Sequence, residues 1–344
     1  MIVVPRTVTM PLDVHVDRGE GCFDLPAWPQ VLRRDPHRHI FATPEWNRLW
    51  WEEFGAGKDL FVLTMKRAGE VVAVVGLYRK HEGHRRILRF VGGIDLTDYL
   101  GPITAPEHQA AVAESLVGWL LETDVEWDEF DAHNMPVPFG FGEVLVERVD
   151  RAGLDFSLEQ EETSALLPLP SSWDEYLAML EGKDRHELKR KRRRLAREYP
   201  DATFRTSSPD TLEQDLKVFV EMHRGAEGLK GHFMRPEIAT FFERVARSFM
   251  ARGWLRLDFL EIGGVPVATT FGFEVDRVLY LYNSAFEEEV RRLSPGLMLV
   301  SEQIRDGIER GVRIFDFLRG PERYKYRLGA QPVPLNNLRV ASPR

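Results

Sequence analysis

Cysteine is almost absent: Cys22 is the single one in 344 residues. A lone thiol excludes an internal disulfide framework and a cysteine-based zinc site, and it suits a reducing compartment. Long apolar runs are missing as well; none approaches the roughly 20 residues of a membrane span. The opening residues, MIVVPRTVTMPLDVHVDRGE, have no basic start followed by an apolar core, so no secretory leader is expected and a cytoplasmic location is. Positive charge is not in excess. Lys and Arg number 46 against 54 Asp and Glu, a net charge of −8. A general nucleic-acid binder carries the opposite balance, so DNA is not an expected partner and any polyanion site must be local. Several catalytic motifs are also missing: no G-x-S-x-G, no Walker A and no complete G-x-G-x-x-G occurs. HEGH at 81–84 spaces its histidines too closely for H-E-x-x-H, and no carboxylate cluster accompanies His37 and His39, so no metal is expected.

What is present reads as a soluble α/β chain. Length favours two domains over one, and hydrophobic content is 43% with 29% charged residues. PEWNRLWWEEF (44–54) reads as a helix capped by Thr43 with Pro44 at its first position. LFVLTM (60–65) and VVAVVGLY (71–78) are β-rich runs joined by the turn Ala68-Gly69-Glu70. A helix at 109–121, a strand at 127–133, a helix at 142–152 and a strand near 154–159 follow.

The second half repeats the plan. WLRLDFLEI, the turn Gly263-Gly264, VPVATTFGFEV, a turn at Asp276-Arg277 and VLYLYNSAF predict a three-strand meander over 254–286. A helix then runs from Pro295 to about Arg310, with Ser294 as its cap and Gly311 past its end. Leu297, Val300, Ile304 and Ile308 stripe one face. A strand ending in IFD closes each half, at 129–131 (as EFD) and 314–316, which suggests an internal duplication. The expected boundary is near 160, giving domains 1–160 and 161–344. A long helical stretch is expected over 173–199, with eight cations in the thirteen residues 185–197. That run reads first as a solvated helix face, then as a phosphate grip, then as a tRNA contact.

These features resemble the acyltransferase domain of the GNAT superfamily of the BioF2-like or CelD/BcsL type, related to the FemABX peptidyltransferases. The residues that carry the likeness are His223 in VEMHRGAEG, the 255–286 meander, Ser294-Pro295-Gly296, and GVRIFDFLRGPERYKYRLG. TPEWNRLWWEEFG and LRFVGGIDLTDYLGPI look like the family's first domain. The resemblance implies two tandem GNAT-like units, each a mixed, mostly antiparallel sheet flanked by helices, and an N-acyltransferase using acyl-CoA. One departure stands out: the stretch RRLSPGL (291–297) has a single glycine where ordinary GNAT domains have a glycine-rich pyrophosphate loop.

The same resemblance distributes roles. Arg291, Arg292, Ser294 and Gly296 would receive the donor's phosphates at the helix start, with Asn283 and Ser284 beside the acyl group. Lys325, Tyr324 and Tyr282 are the catalytic candidates, as oxyanion donor or proton donor to the leaving group. Asp316 lies in an apolar strand, where a carboxylate needs a partner, and Arg319 and Lys325 are the nearest in sequence; a structural ion pair is the plainer reading. His223 is a candidate substrate contact, in front of a loop containing Gly225, Gly228 and Gly231. Asp98 and Tyr99 would face the acceptor from the first domain. The expected acceptor is an amine or hydroxyl of a small molecule, a nucleotide-linked compound or an envelope polysaccharide precursor. An aminoacyl-tRNA-dependent peptidyltransferase and a non-catalytic ligand-binding protein are the alternatives.

Overall fold

The computed structural model describes residues 12–225 and 233–343; Gly228 and Gly231 lie outside them. The chain divides into two compact units, residues 1–163 with 333–344, and residues 164–332. Among the described residues no helix is long and apolar enough to cross a membrane.

Three hairpin turns set the sheets. Ala68 and Gly69 (φ 50° and 84°), Gly263 and Gly264 (60° and 75°), and Asp276 and Arg277 (53° and 64°) all take positive φ at consecutive positions. Two left-handed residues in a row give the turn twist that matches paired strands, so each fixes an antiparallel hairpin. Asp59–Arg67 pairs with Glu70–Glu82 across the first, Leu255–Ile262 with Val265–Val275 across the second, and Val265–Val275 with Val278–Phe286 across the third.

In the first unit the sheet order is Asp13–Asp17, Asp59–Arg67, Glu70–Glu82, Arg85–Phe90, Glu129–Pro136 and Gln331–Ala341. Neighbours are antiparallel except Arg85–Phe90 beside Glu129–Pro136, which run parallel. A parallel pair needs a crossover, supplied by helix Gln109–Glu122. That helix buries Val112, Leu116 and Leu120 against Leu63, Leu77 and Phe130 of the sheet. Helix Pro44–Phe54 begins as its sequence predicts, the Trp46 N–H donating to Thr43 Oγ1 at 3.3 Å.

In the second unit the end of strand Phe156–Pro168 is followed across the sheet by Ile314–Arg319, Val278–Phe286, Val265–Val275, Leu255–Ile262 and Thr203–Thr206. Helix Pro295–Arg310 makes the crossover between the parallel strands Val278–Phe286 and Ile314–Arg319. Of the expected stripe it buries Val300, Ile304 and Ile308, and Leu297 is partly buried.

Two expectations need correction. The single helix over 173–199 is two helices, Trp173–Met179 and Gly182–Glu198. Leu180 and Glu181 turn extended between them (ψ 146° and 143°), so that Leu180 is buried in the core while Glu181 stays exposed. The second domain does not run to 344. Strand Gln331–Ala341 pairs antiparallel with Glu129–Pro136, from Leu335↔Pro136 to Ala341↔Glu129, which returns residues 333–344 to the first unit.

That returning strand meets a buried polar knot that the sequence reading passed over. His133 Nε2 lies 2.7 Å from Asp131 Oδ2 and its Nδ1 2.6 Å from Glu161 Oε2. Arg89 pairs with Asp131 at 2.6 Å, and the Asn337 amide donates to Asp131 Oδ1 at 3.1 Å. The Asn134 N–H donates to Glu161. Burial works against the imidazolium, but hydrogen bonds and charge from Asp131 and Glu161 outweigh it and raise the His133 pKa. Burial likewise opposes the charge on Asp131 and Glu161, and His133 nevertheless holds both below the usual carboxylate range, helped at Asp131 by Arg89.

The raised histidine stabilises the fold below its unfolded pKa and loses that contribution as pH rises through its folded pKa. The lowered carboxylates contribute above their unfolded pKa values and lose that contribution in acid. The knot is therefore strongest in the window between, near about pH 6. Replacing His133 by Gln leaves the part-buried Glu161 without its counter-ion and buried Asp131 with its arginine partners alone, and should cost about 3 kcal/mol there. The melting-temperature gap between wild type and His133→Gln should narrow toward about pH 9. A gap independent of pH contradicts a charged His133.

Candidate functional site

The second unit's parallel strands hold together only briefly. Val278↔Ile314, Leu279↔Phe315 and Tyr280↔Asp316 are in register, and the pairing then stops. Three local features open the gap. Opposite Val278–Phe286, Phe271 faces Asn283 and Gly272 faces Leu281, so Tyr282 is the extra residue of a β-bulge. Gly272 is required there, since a Cβ would lie 2.3 Å from the Tyr280 carbonyl oxygen. On the other strand, pairing with Phe156–Pro168 becomes irregular between Asp316 and Arg319, and Leu318 takes φ 58°. A left-handed leucine is strained. Asp316 Oδ1 accepts the Leu318 N–H at 2.8 Å and so helps to hold the turn.

Lys325 completes this strand end. Its ammonium donates to the carbonyls of Leu318 (3.1 Å), Arg319 (2.7 Å) and Gly320 (3.2 Å) and pairs with Glu322 at 2.9 Å. It is 2% exposed, so its three donors are engaged by the chain itself. The short helix Arg323–Arg327 carries it inward as the spacing predicts, but it meets backbone rather than Asp316. Tyr324 packs edge-on against Phe317 at 6.1 Å, and burial, with Glu322 nearby, raises its phenol pKa. Arg323 is exposed, and Arg327 pairs with Asp184 at 2.6 Å.

Across the gap, Tyr282 sits half-buried among Phe242, Phe271 and Phe273. Asn283 Oδ1 accepts the Ser284 N–H at 2.8 Å and lies 2.7 Å from His223 Nε2. His223 is buried, with its Nδ1 3.1 Å from the Phe219 carbonyl. The structure thus joins His223 and Asn283, 60 residues apart, which no local pattern could announce.

Helix Pro295–Arg310 starts differently from the sequence expectation. Ser294 precedes it at φ 55° and makes no side-chain cap. Its hydroxyl accepts from Lys191 Nζ at 2.5 Å. Arg194 donates to the Arg292 carbonyl (3.4 Å), Arg292 to the Tyr199 hydroxyl (3.2 Å), and Arg192 pairs with Glu302 (2.9 Å). Part of the basic helix therefore leans on this helix start. Burial, and the charges of Arg327, Arg190 and Arg194, lower the Lys191 pKa against the opposing pull of Glu187. Arg291 is exposed and pairs with Glu288 at 3.2 Å. A Cβ at Gly296 would meet Phe286 at an ordinary 3.5 Å, so packing does not demand glycine there. Lys189 and Arg193 remain on the exposed side of the basic helix.

The first unit repeats the parting of strands and closes it differently. Arg85–Phe90 and Glu129–Pro136 share Ile87↔Glu129 and Leu88↔Phe130 only. Asn134 on the parted strand then bonds the 92–101 loop: its amide donates to the Thr97 carbonyl at 2.8 Å and its carbonyl accepts from Leu100 N–H at 3.0 Å. Asp98 and Tyr99 are buried in this loop. Tyr99 lines a cleft together with His37, His39 and Phe139, and Asp98 does not. Among the described residues no group of three or more His, Cys, Asp or Glu is placed to hold a metal.

Residues 182–326 match the family model of the acetyltransferase (GNAT) domain. The solved structure of FemX superposes with a TM-score of 0.66 at 11% identity, over 95% of this chain and 96% of FemX. A conserved protein of unknown function from Bacteroides thetaiotaomicron gives 0.60 at 12% identity, over 95% and 100%. The C-terminal domain of a putative lysylphosphatidylglycerol synthetase from Agrobacterium fabrum gives 0.56 at 13% identity, over 93% and 92%. No curated protein matches this chain in sequence. The likenesses establish the fold, which is of the GNAT type and like that of FemX.

Two of the three cations of GPERYKYRLG, Lys325 and Arg323, separate cleanly. Lys325→Met removes a buried charge that ties down three carbonyls and should cost about 3 kcal/mol in urea denaturation. Arg323→Ala, on an exposed side chain, should stay within about 0.5 kcal/mol of wild type. Equal effects would show that Lys325 does not brace the strand end.

Proposed function

From a transferase fold of this kind we infer that the protein moves an acyl group from acyl-CoA to an amine or hydroxyl acceptor, with the donor bound in the second unit. The observation that carries the reading is the parting of Val278–Phe286 from Ile314–Arg319 directly ahead of the Pro295–Arg310 helix start. A slender thioester arm fits such a gap, and the helix start presents free N–H groups to phosphate. Arg291, Arg292 and Lys191 supply cations around it, which offsets the short, single-glycine loop.

The acceptor's lone pair attacks the thioester carbonyl carbon. A C–N or C–O bond forms, the C–S bond breaks, and the acceptor gives up its proton to solvent water, from which the proton donor to the leaving thiolate is restored. The Tyr282 phenol, on the bulge beside the gap, protonates the departing thiolate. Asn283 and His223 set the bulge's orientation through their 2.7 Å contact. Lys325 acts through the backbone, by holding the far strand's end in its turned shape.

A second reading, transfer from an aminoacyl-tRNA, draws on the exposed Lys189 and Arg193 of the basic helix. A tRNA complex whose affinity falls steeply with salt, together with amino-acid transfer, would select it.

Titration calorimetry with acetyl-CoA and longer acyl-CoAs tests the first reading. Lys191→Ala should weaken donor binding about tenfold, or ~1.4 kcal/mol. Tyr282→Phe should leave binding intact and slow turnover by about 10²-fold. If folded protein binds none of these thioesters, the reading fails.

A further inference from the structure

The first unit's cleft has a chemical character of its own. It is partly open to solvent, with a cavity volume of about 50 Å³. No lysine or arginine lines it among the described residues. Its walls are rings: His37 stacks on Phe139 at 4.7 Å, His39 lies at 5.9 Å from the same ring, and Tyr99 meets it edge-on at 5.9 Å.

Three side chains lining the cleft donate to backbone carbonyls. The Asn47 amide donates to the Phe41 and Thr43 carbonyls, both at 2.9 Å. The Gln109 amide donates to the Phe139 carbonyl at 2.8 Å, and the Thr104 hydroxyl to the Val72 carbonyl at 3.0 Å. The Asn47 amide oxygen and the Gln109 amide oxygen remain as acceptors. His39 Nδ1 is a buried atom with no hydrogen-bond partner. Burial first, and the neighbouring His37, push the His39 pKa down to about 3, so the ring is neutral. Asp35 accepts the His37 backbone N–H at 2.8 Å, and burial raises its pKa.

Flat apolar walls with an acceptor-rich, cation-free lining suit a ligand with an apolar ring face and hydroxyl donors at its edge. We propose that this cleft binds the uncharged pyranose ring of a saccharide, and not a phosphate-bearing nucleotide. A hydroxyl of that ring donates to His39 Nδ1, which would otherwise stay buried and unpaired at a cost. Within the transfer reaction inferred above, on which this point of the proposal rests, the saccharide is the acceptor.

The full chain is titrated by saturation-transfer NMR with methyl glucoside, methyl galactoside, methyl mannoside and N-acetylglucosamine, and with UDP-glucose for contrast. At least one uncharged sugar should receive saturation, strongest at its ring C–H protons. His39→Phe, which keeps the ring volume and removes the acceptor, and Gln109→Met should each weaken that sugar about tenfold or more. UDP-glucose should bind no tighter than methyl glucoside. The proposal is overturned if folded wild type binds none of the four uncharged sugars, if UDP-glucose binds about tenfold tighter, or if both variants, still folded by circular dichroism, bind as wild type does. Acetyl-CoA calorimetry on the same samples keeps the two ideas separate. Sugar binding without acetyl-CoA binding removes the transfer reading and leaves the cleft assignment standing; the converse removes the cleft assignment alone.

Discussion

Two parallel strands that pair for three residues and then part are the constraint on which the second unit's chemistry depends. Parallel pairing normally continues, because each further residue adds ladder hydrogen bonds. Here it is stopped from both sides. Tyr282 adds a residue to one strand, and Asp316 turns the other at Leu318. The open end leaves backbone polar groups that need partners. Lys325 answers three of them at once, and that explains a lysine buried to 2% exposure in a segment that otherwise looks like a solvated loop. A rigid, parted strand end is a better platform for positioning a reacting carbonyl than a mobile loop, since misplacement by an ångström is costly to rate.

Buried charge recurs as a device in both units. In the first, Asp131, His133, Glu161 and Arg89 gather residues from three strands, and Asn337 adds the fourth. In the second, Asp316 and Lys325 serve backbone groups instead of one another. The difference matters for how substitutions are read. Removing a member of the first set strands a charge, whereas removing Lys325 strands carbonyls.

Much of the architecture was legible in the sequence because it is locally determined. Ala68-Gly69, Gly263-Gly264 and Asp276-Arg277 each force their hairpin through two residues. The Pro295–Arg310 helix announced its face by apolar spacing. What stayed hidden was set by distant partners. Ser294 looked like a helix cap but is taken by Lys191, 103 residues earlier. The 185–197 run read as one solvated face, yet Lys191, Arg192 and Arg194 turn to the neighbouring helix and only part of the run faces water. His133 drew no notice, since a histidine in a strand gives no sign of a carboxylate 28 residues on. The cation-free lining of the His39 cleft was equally invisible, as its residues come from segments spread between 28 and 142.

The return of residues 333–344 to the first unit has a consequence for how the chain is made. Along the sequence, one unit is nested inside the other. During synthesis the inner unit has all its strands in hand before the outer one does. Until Gln331–Ala341 arrives, Glu129–Pro136 presents an open sheet edge with Asp131 and His133 on it, short of the Asn337 amide. Closing that edge requires contacts across roughly 200 residues, a slow step in which an exposed strand invites pairing with other chains. The outer unit is thus the last to close, and a fragment cut at the visible unit boundary would lack the strand that pairs with its own Glu129–Pro136.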